Sequence, residues 1–364
     1  MTHARALFIW SLLLSVLVLP RALGAEYMLM PSPETVHVGN FDAARKPVLT
    51  INSGDTVTIE SSPGLDPAVI DASGIIPPSA VPEHTRAIRR EVTDRGPGPH
   101  ILTGPIFVNG AMPGDVLEVR IQQIDLAIDY GNNVQRPYTG ALPDEFPGTF
   151  QRLIPIDRQA KTATVAPGVV VPVTRPFFGV MGVAPPAAMG RISSMPPGVH
   201  AGNLDNKDLT AGTTLYLPVY AAGALFSIGD AHAAQGQGEV DLSAIETALR
   251  GKFQFNVRKD MKITWPRAET ATHWMVMGLN PSLEEAMKMA VRETILFITQ
   301  RFPKISREEA YFDCERRGRL SCHSGGRRHQ GHPRHDPEGN FHIAVGETTS
   351  RRRSATGIAT AMES

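Results

Sequence analysis

Cysteine is nearly absent: the 364 residues contain two, Cys314 and Cys322, both close to the C-terminal end. Two such residues exclude a disulfide-framework protein, and the cysteine-free remainder neither requires nor opposes an oxidising compartment. Aromatic residues are scarce too, at 6%, against 33 glycines and 30 prolines. That balance argues against a helical bundle and suits short strands joined by ordered turns. Net charge is also lacking, with 36 basic against 36 acidic side chains. Nothing electrostatic therefore favours nucleic acid, which would need a local basic patch. After the first apolar block no second run of that length occurs. What is present is an apolar fraction of 42%, which excludes a disordered or fibrous chain and can fill one large core or two moderate ones.

The first apolar block has the layout of an export signal. Residues 1–6 carry His3 and Arg5, and residues 7–20 (LFIWSLLLSVLVLP) are almost unbroken apolar sequence. The run falls short of the about 20 residues a spanning helix needs, and Pro20 and Gly24 break it. Arg21-Ala22-Leu23-Gly24-Ala25 then offers small residues where a signal peptidase cuts, after Gly24 or Ala25. The sequence thus predicts a signal peptide over residues 1–25 and a soluble, exported protein. It would be periplasmic or secreted, with no stable membrane anchor after cleavage.

From Glu34 onward the pattern is β. Lys46-Pro-Val-Leu-Thr-Ile, a polar Asn52-Ser53-Gly54-Asp55 turn and Thr56-Val-Thr-Ile-Glu60 read as two alternating strands around a turn. Ile101 to Asn109, Gly110-Ala-Met-Pro-Gly114-Asp115 and Val116 to Ile128 repeat the design. Residues 165–183 and 216–230 are further β-rich stretches. Between the first two pairs, residues 62–99 are rich in Pro and Gly and read as a mobile insertion or a partner-contacting arm. Helices are few: a short one over residues 242–249, and a long one over residues 282–298 capped by Ser282 with Glu285 three residues on. Ser306-Arg-Glu-Glu309 repeats that box.

Two short segments concentrate chemistry. Pro197-Gly-Val-His200-Ala-Gly202-Asn203-Leu-Asp205 places a His, an Asn and an Asp in a small-residue turn before a strand. Gly229-Asp230-Ala-His232-Ala-Ala-Gln235-Gly236-Gln237-Gly238-Glu239 ends a strand, and residues two apart on a strand share a face, so Asp230 and His232 project together. The surrounding Ala and Gly residues leave room for a ligand and let backbone N–H groups approach it. Imidazole with carboxylate suits zinc or another borderline divalent ion, and a spare carboxylate can deprotonate a water. Taken singly, each residue has a plain structural use: an Asp-x-His pair can close a strand end, and Asn203 and Asp205 can form turns. Concentrated among Ala and Gly, the polar groups lack a packing explanation.

Three strings, HILTGPIFVNGAMPGDVLEV (residues 100–119), PPGVHAGNLDNKDL (residues 196–209) and GALFSIGDAHAAQGQGEV (residues 223–240), closely resemble the acetamidase/formamidase family. The likeness runs from about Val36 to Phe312. It implies hydrolysis of short aliphatic amides to carboxylate and ammonia. It also implies a mainly β fold (α+β), a jelly-roll-like β-sandwich with a smaller barrel-like part, and a homo-oligomer. It further implies a catalytic domain over residues 26–312, and the absence of cysteine before Cys314 agrees with attack by water. One position departs: the family usually has Asp in a QGDGE string where this chain has Gln237.

A working mechanism follows from these residues. His200, Asp230 and His232 hold a divalent metal, with Asp205 as a fourth ligand or catalytic carboxylate. Glu239 is the general base and returns the proton to the leaving ammonia. The Gln235 amide and backbone N–H groups around Gly236 stabilise the oxyanion, while His100 and Asn203 line the substrate's side. The rival reading is a non-catalytic exported β-sandwich that binds amides or sugars, which ammonia release from simple amides separates.

After Phe312 the composition changes: nine Arg, no Lys, five of the twelve His and both Cys. A helix opened by Ser306 then loses its apolar periodicity at its second turn. Read one nucleotide later in each codon, residues 312–338 can spell LIASVAADFHVTQVVDGIKGIHAMIPK. That string continues the helix and then alternates as strand, turn and strand, like the family's usual ending. Residues 313–364 are therefore expected to be a frameshifted, non-native and disordered tail.

Overall fold

The computed structural model describes residues 24–324 and 339–346. Residues 1–23 of the expected leader, and residues 325–338 and 347–364 of the expected tail, lie outside the described residues. Two open sheets face one another. The first has nine strands in the order Glu26–Leu29, Thr56–Glu60, Leu249–Arg258, Val116–Leu126, Thr214–Pro218, Arg267–Glu269, His273–Asn280, Gly339–Gly346 and Gly318–Ser324. The second has eleven, running Val169–Pro172, Thr162–Ala166, Phe150–Asp157, Tyr130–Gln135, Glu246–Thr247, Phe226–His232, Phe177–Gly182 and Ala201–Asn203. Strand Ile101–Val108 branches from Phe226–His232 and carries Val36–Val38 and Leu49–Ile51. The mainly β reading holds, and among the described strands no closed barrel forms.

The core lies between the sheets and follows from period-2 alternation. Leu249, Phe253 and Phe255 of one strand point inward and are fully buried. Phe253 meets Phe178 edge-on at 5.6 Å between ring centres, and Phe255 meets Phe226 at 5.1 Å, so aromatic pairs tie the two layers together. The two Gly turns are corners between layers and not hairpins. Leu49–Ile51 pairs in parallel with Ile101–Val108, while Thr56–Glu60 joins the other sheet. In each corner an aspartate holds the bend: Asp55 Oδ2 accepts from the Asn52 N–H (2.7 Å), and Asp115 Oδ2 from the Met112 N–H (3.0 Å).

Both helix starts form as expected, the Ser306 box with both of its bonds and the Ser282 box with one, the Ser282 N–H donating to Asn280 Oδ1 instead. Ser282 accepts from the Glu285 N–H to open helix Leu283–Arg301, and Ser306 and Glu309 satisfy each other's backbone N–H groups at the start of helix Arg307–Arg317. Gly278 lets the longer helix lie on its strand, since a Cβ there would sit 2.0 Å from the Ala286 carbonyl oxygen. Beyond Phe312, helix Arg307–Arg317 runs on, and strand Gly339–Gly346 pairs along the whole of His273–Asn280.

Two expectations are corrected. Residues 242–249 form no helix: Leu242 has a φ of 101°. Ser243 Oγ accepts from the Val134 N–H at 2.7 Å, and the segment becomes a turn followed by Glu246–Thr247 and the start of Leu249–Arg258. Residues 62–99 are an ordered wall. Helices Pro67–Ser73 and Glu83–Glu91 bury Ile70 against Ile128 and Tyr130, and Ile88 against Val36, Val38 and Ile101.

Candidate active site

The site sits where the larger sheet forks. Strand Phe226–His232 pairs through Phe226, Ile228 and Gly229 with Ile101–Val108, then passes that edge to Glu246–Thr247 through Ala231 and His232. Its other edge is covered throughout by Phe177–Gly182. The gap between the two branches opens a cavity of about 530 Å3, lined by His100 and Ile101 on one side and by Asn132, Glu246 and Thr247 on the other. Backbone distortion aims the side chains into it. Phe226, Ile228 and Ala231 belong to the inter-sheet core, an alternation broken at Asp230, whose φ is 55°. Asp205 and Glu239 share this left-handed conformation, each with a φ of 44°. Non-glycine residues held this way are strained and cluster at functional sites.

Two overlapping groups of ligand atoms, each within 4.8 Å of one another, meet at His232: Asp205, Asp230 and His232, and His232, Glu239 and Glu246. His232 Nε2 lies 3.3 Å from Glu246 Oε1, 3.4 Å from Asp230 Oδ2 and 3.9 Å from Glu239 Oε1. Its other nitrogen, Nδ1, bonds Gln235 Oε1 at 2.8 Å, and Gln235 Nε2 donates to the Asp205 carbonyl at 3.0 Å. With Nδ1–H donating to Gln235, the ring is fixed with Nε2 facing the carboxylates. Main-chain contacts fix Asp205, since the Leu204 and Asp205 N–H groups both donate to the Gly179 carbonyl (2.9 and 3.1 Å).

The electrostatics ask for a cation. Burial, reinforced by Asp230, pushes the Asp205 carboxyl up to about 8. Burial and then Asp205 hold Glu239 well above the usual carboxylate range, and burial raises Glu246 as well. Burial also works against ionising Asp230, but His100 and His232 outweigh it and hold this carboxyl below its usual value. For His232, burial opposes the charge, yet Glu246 and Asp230 keep its pKa well above 6.5. Four carboxyl groups crowd one imidazole, and His232 Nε2 and Asp205 Oδ1 are buried without a hydrogen-bond partner. Glycine at 179 keeps the space clear: a Cβ there would lie 2.6 Å from both Asp205 Oδ1 and Asp230 Oδ2 and 2.9 Å from His232 Cε1. Orphaned ligand atoms, excess carboxylate and an oriented histidine fit a divalent ion.

The structure brings Asp205, Asp230, His232, Gln235 and Glu239 together, with His100 and Asn203 in the same cavity. His100 is held by Ser194 through Nδ1, and its Nε2 lies 3.8 Å from Asp230 Oδ2. His200 does not join the ligands. Its ring packs edge-on against Phe41 at 5.0 Å and beside Gly202, and burial pushes its pKa down to about 4. Two further corrections concern the turn after the strand. Gly236 is exposed and outside the cavity lining, and the Gln235 amide is already engaged on both sides. Gln237, the departure from the family string, is likewise exposed and outside the cavity lining. Sequence reasoning missed Glu246, the cross-strand partner of His232, because a helix was expected over it.

A sequence profile of the Acetamidase/Formamidase family matches residues 93–194 and 187–274. Among curated proteins, the formamidase of Methylophilus methylotrophus is 31% identical over 202 residues, covering 41% of this chain and 49% of that protein. The acetamidase of Mycolicibacterium smegmatis is 28% identical over 207 residues, covering 40% and 50%. The chain thus spans about half the length of the curated relatives it matches. Two solved structures superpose over most of the chain. A protein described as a predicted acetamidase/formamidase from Thermoanaerobacter tengcongensis has a TM-score of 0.72 at 26% identity, covering 88% of this chain and 96% of that one. An acetamidase from Bacillus halodurans has a TM-score of 0.71 at 29% identity, covering 88% and 97%.

Proposed function

Because the chain belongs to the acetamidase/formamidase family, we propose that it is an amidohydrolase that cleaves the C–N bond of linear amides with water. One observation carries this reading: His232 Nε2 and Asp205 Oδ1, both buried without a hydrogen bond, converge with Asp230 against a cavity lined by Asp205, Asp230 and two further carboxyl groups, Glu239 and Glu246. Asp205, Asp230 and His232 would hold a divalent ion, zinc being the first candidate, with Glu246 as an alternative ligand. Such an ion supplies Lewis acidity at the amide carbonyl.

The chain's own groups do the rest. Glu239, buried beside the ligands, takes a proton from the attacking water as the C–O bond forms, then gives it to nitrogen as the C–N bond breaks. Water and amide thus leave as carboxylic acid and ammonia. Gln235 does not contact the reacting atoms; it positions His232. His100, steadied by Ser194, and Asn203 line the cavity beside the cluster and orient the amide. Ammonia release from formamide, acetamide and propionamide tests the reading, with chelation and metal reconstitution testing the ion. No release from these or any longer linear amide by metal-loaded protein overturns it.

The protein is further proposed to act outside the cytoplasm, as a homo-oligomer. Just past the expected cleavage point, the Ala25 N–H donates to Asp55 Oδ1 at 2.8 Å and strand Glu26–Leu29 pairs with Thr56–Glu60. Among the described residues no helix is long and apolar enough to cross a membrane.

A further inference from the structure

The cavity is too large for the simplest amides. Formamide and acetamide have three and four non-hydrogen atoms. At about 30 Å3 per water-sized atom they fill roughly 90–120 Å3, against about 530 Å3 available. The unfilled part has a definite chemistry, set by one strand. Asn132 and Val134, two apart on one face of strand Tyr130–Gln135, line the cavity, and so does Arg136, the residue just past the strand's end. Asn132 is the cross-strand partner of Glu246, so this row begins at the ligand cluster. It ends just past the strand, at Arg136, four residues on, at most about 13 Å away at the rise of an extended chain.

The row therefore runs from metal ligands through an apolar middle to a cation. Leu65, Val69 and Leu242 add apolar surface to the lining alongside Val134. Arg136 is exposed, and its guanidinium makes no hydrogen bond or ion pair among the described residues. Arg89, from helix Glu83–Glu91, also lines the cavity. One of its terminal nitrogens donates to the Gly64 carbonyl while its Nε stays buried and unpartnered. One acid, Asp66, shares that wall: its Oδ1 caps the Ala68 N–H at 2.9 Å and its charge faces Arg89, not Arg136. The remaining acids of the lining, Asp205, Asp230, Glu239 and Glu246, belong to the cluster at the other end. A substrate that fits this layout has its amide at the cluster, an apolar chain, and a negative charge at the far end.

We infer that the enzyme selects amides bearing a terminal anionic group, in particular the half-amides of alkanedioic acids, and that Arg136 reads the distant charge. This rests on the amidohydrolase reading of the same site, and it places Arg136 as a specificity-determining residue away from the reacting atoms.

The test compares amides of equal length and different tail charge on the metal-loaded enzyme. These are adipamate (a terminal carboxylate), hexanamide (neutral) and 6-aminohexanamide (a terminal ammonium). The readout is the ratio of kcat/KM between tails, so a general loss of activity cancels. Wild-type enzyme should prefer adipamate to hexanamide by about tenfold or more, the effect of one charge-assisted contact, and the preference should shrink as salt is raised. Arg136→Gln should bring the ratio to near one, Arg136→Lys should keep part of it, and Arg136→Glu should favour the ammonium tail over the carboxylate. Hydrolysis of all three amides with a ratio near one, or a preference that survives Arg136→Gln, overturns the inference and leaves amide hydrolysis standing. No hydrolysis of any amide overturns the underlying reading and the inference with it.

Discussion

Gly179 is the residue through which the ligand cluster can be disturbed without altering a ligand. It lies mid-strand, in Phe177–Gly182, at a φ that any residue can adopt. An added methyl group would stand 2.6 Å from Asp205 Oδ1 and Asp230 Oδ2, whereas ordinary contact begins at 3.4 Å. Both oxygens must therefore retreat by about 0.8 Å. They cannot do so by a simple rotation, because Asp205 and Asp230 sit on strained backbone and His232 is clamped by Gln235 on the far side. Overpacking of this kind costs about 1–3 kcal/mol of stability. A displacement near 1 Å at a reacting centre costs about 10²-fold in rate. Gly179→Ala should therefore remain folded, with a thermal midpoint lowered by a few degrees, while metal content and kcat/KM fall sharply. Gly236→Ala is the matched control: it has open space around it and no positive φ, and should change neither. The variant is read by ammonia release, metal analysis and thermal denaturation. Full turnover with full metal content in Gly179→Ala would refute the placement of the cluster.

Gln235→Leu removes the acceptor that orients His232 while keeping the volume, so metal affinity and turnover should fall about 10–100-fold together, which metal titration and ammonia release will show. Acid stability should depend on His37. Burial, with Arg45 and Arg191 nearby, pushes its pKa from 6.5 down to about 3. Its contribution is complete above pH 6.5 and is lost as pH falls towards 3, in total about 4–5 kcal/mol at 1.36 kcal/mol per pH unit. His37→Gln should thus flatten the decline in denaturant-measured stability between those pH values, and an unchanged acid limb would contradict the assignment. We also expect resequencing to show a missing or extra nucleotide near the codon for Phe312. Restoring the frame should raise soluble yield and the thermal midpoint, and a confirmed frame with a protease-resistant tail would contradict it.

Much of the fold was legible because it is written in short-range signals. Helix N-caps at Ser282 and Ser306 and alternating strands such as Val116–Leu126 depend on neighbours a few residues away, and each formed. Partnership between strands was not legible. Asn52–Asp55 reads as a hairpin turn, but whether its strands pair or diverge into two sheets is decided by contacts such as Gly54 N–H to the Phe255 carbonyl, 201 residues away along the chain. The same holds for the site. Asp230 and His232 were visible as neighbours on one strand. Glu246 became visible only through the register that sets it opposite His232. His200 sits in a motif as dense as theirs, yet the turn places its ring against Phe41. Nothing local distinguishes a buried packing histidine from a buried ligand.

The central question is whether the cluster holds a divalent ion that amide cleavage requires. Metal content and ammonia release should be measured on one purified preparation, before chelation, after it, and during stepwise return of zinc or another divalent ion. Turnover of a linear amide should disappear with the metal and return in proportion to the ion rebound, and His232→Ala should abolish both. Undiminished ammonia release from metal-free protein, or none from metal-loaded protein on any linear amide, would contradict this.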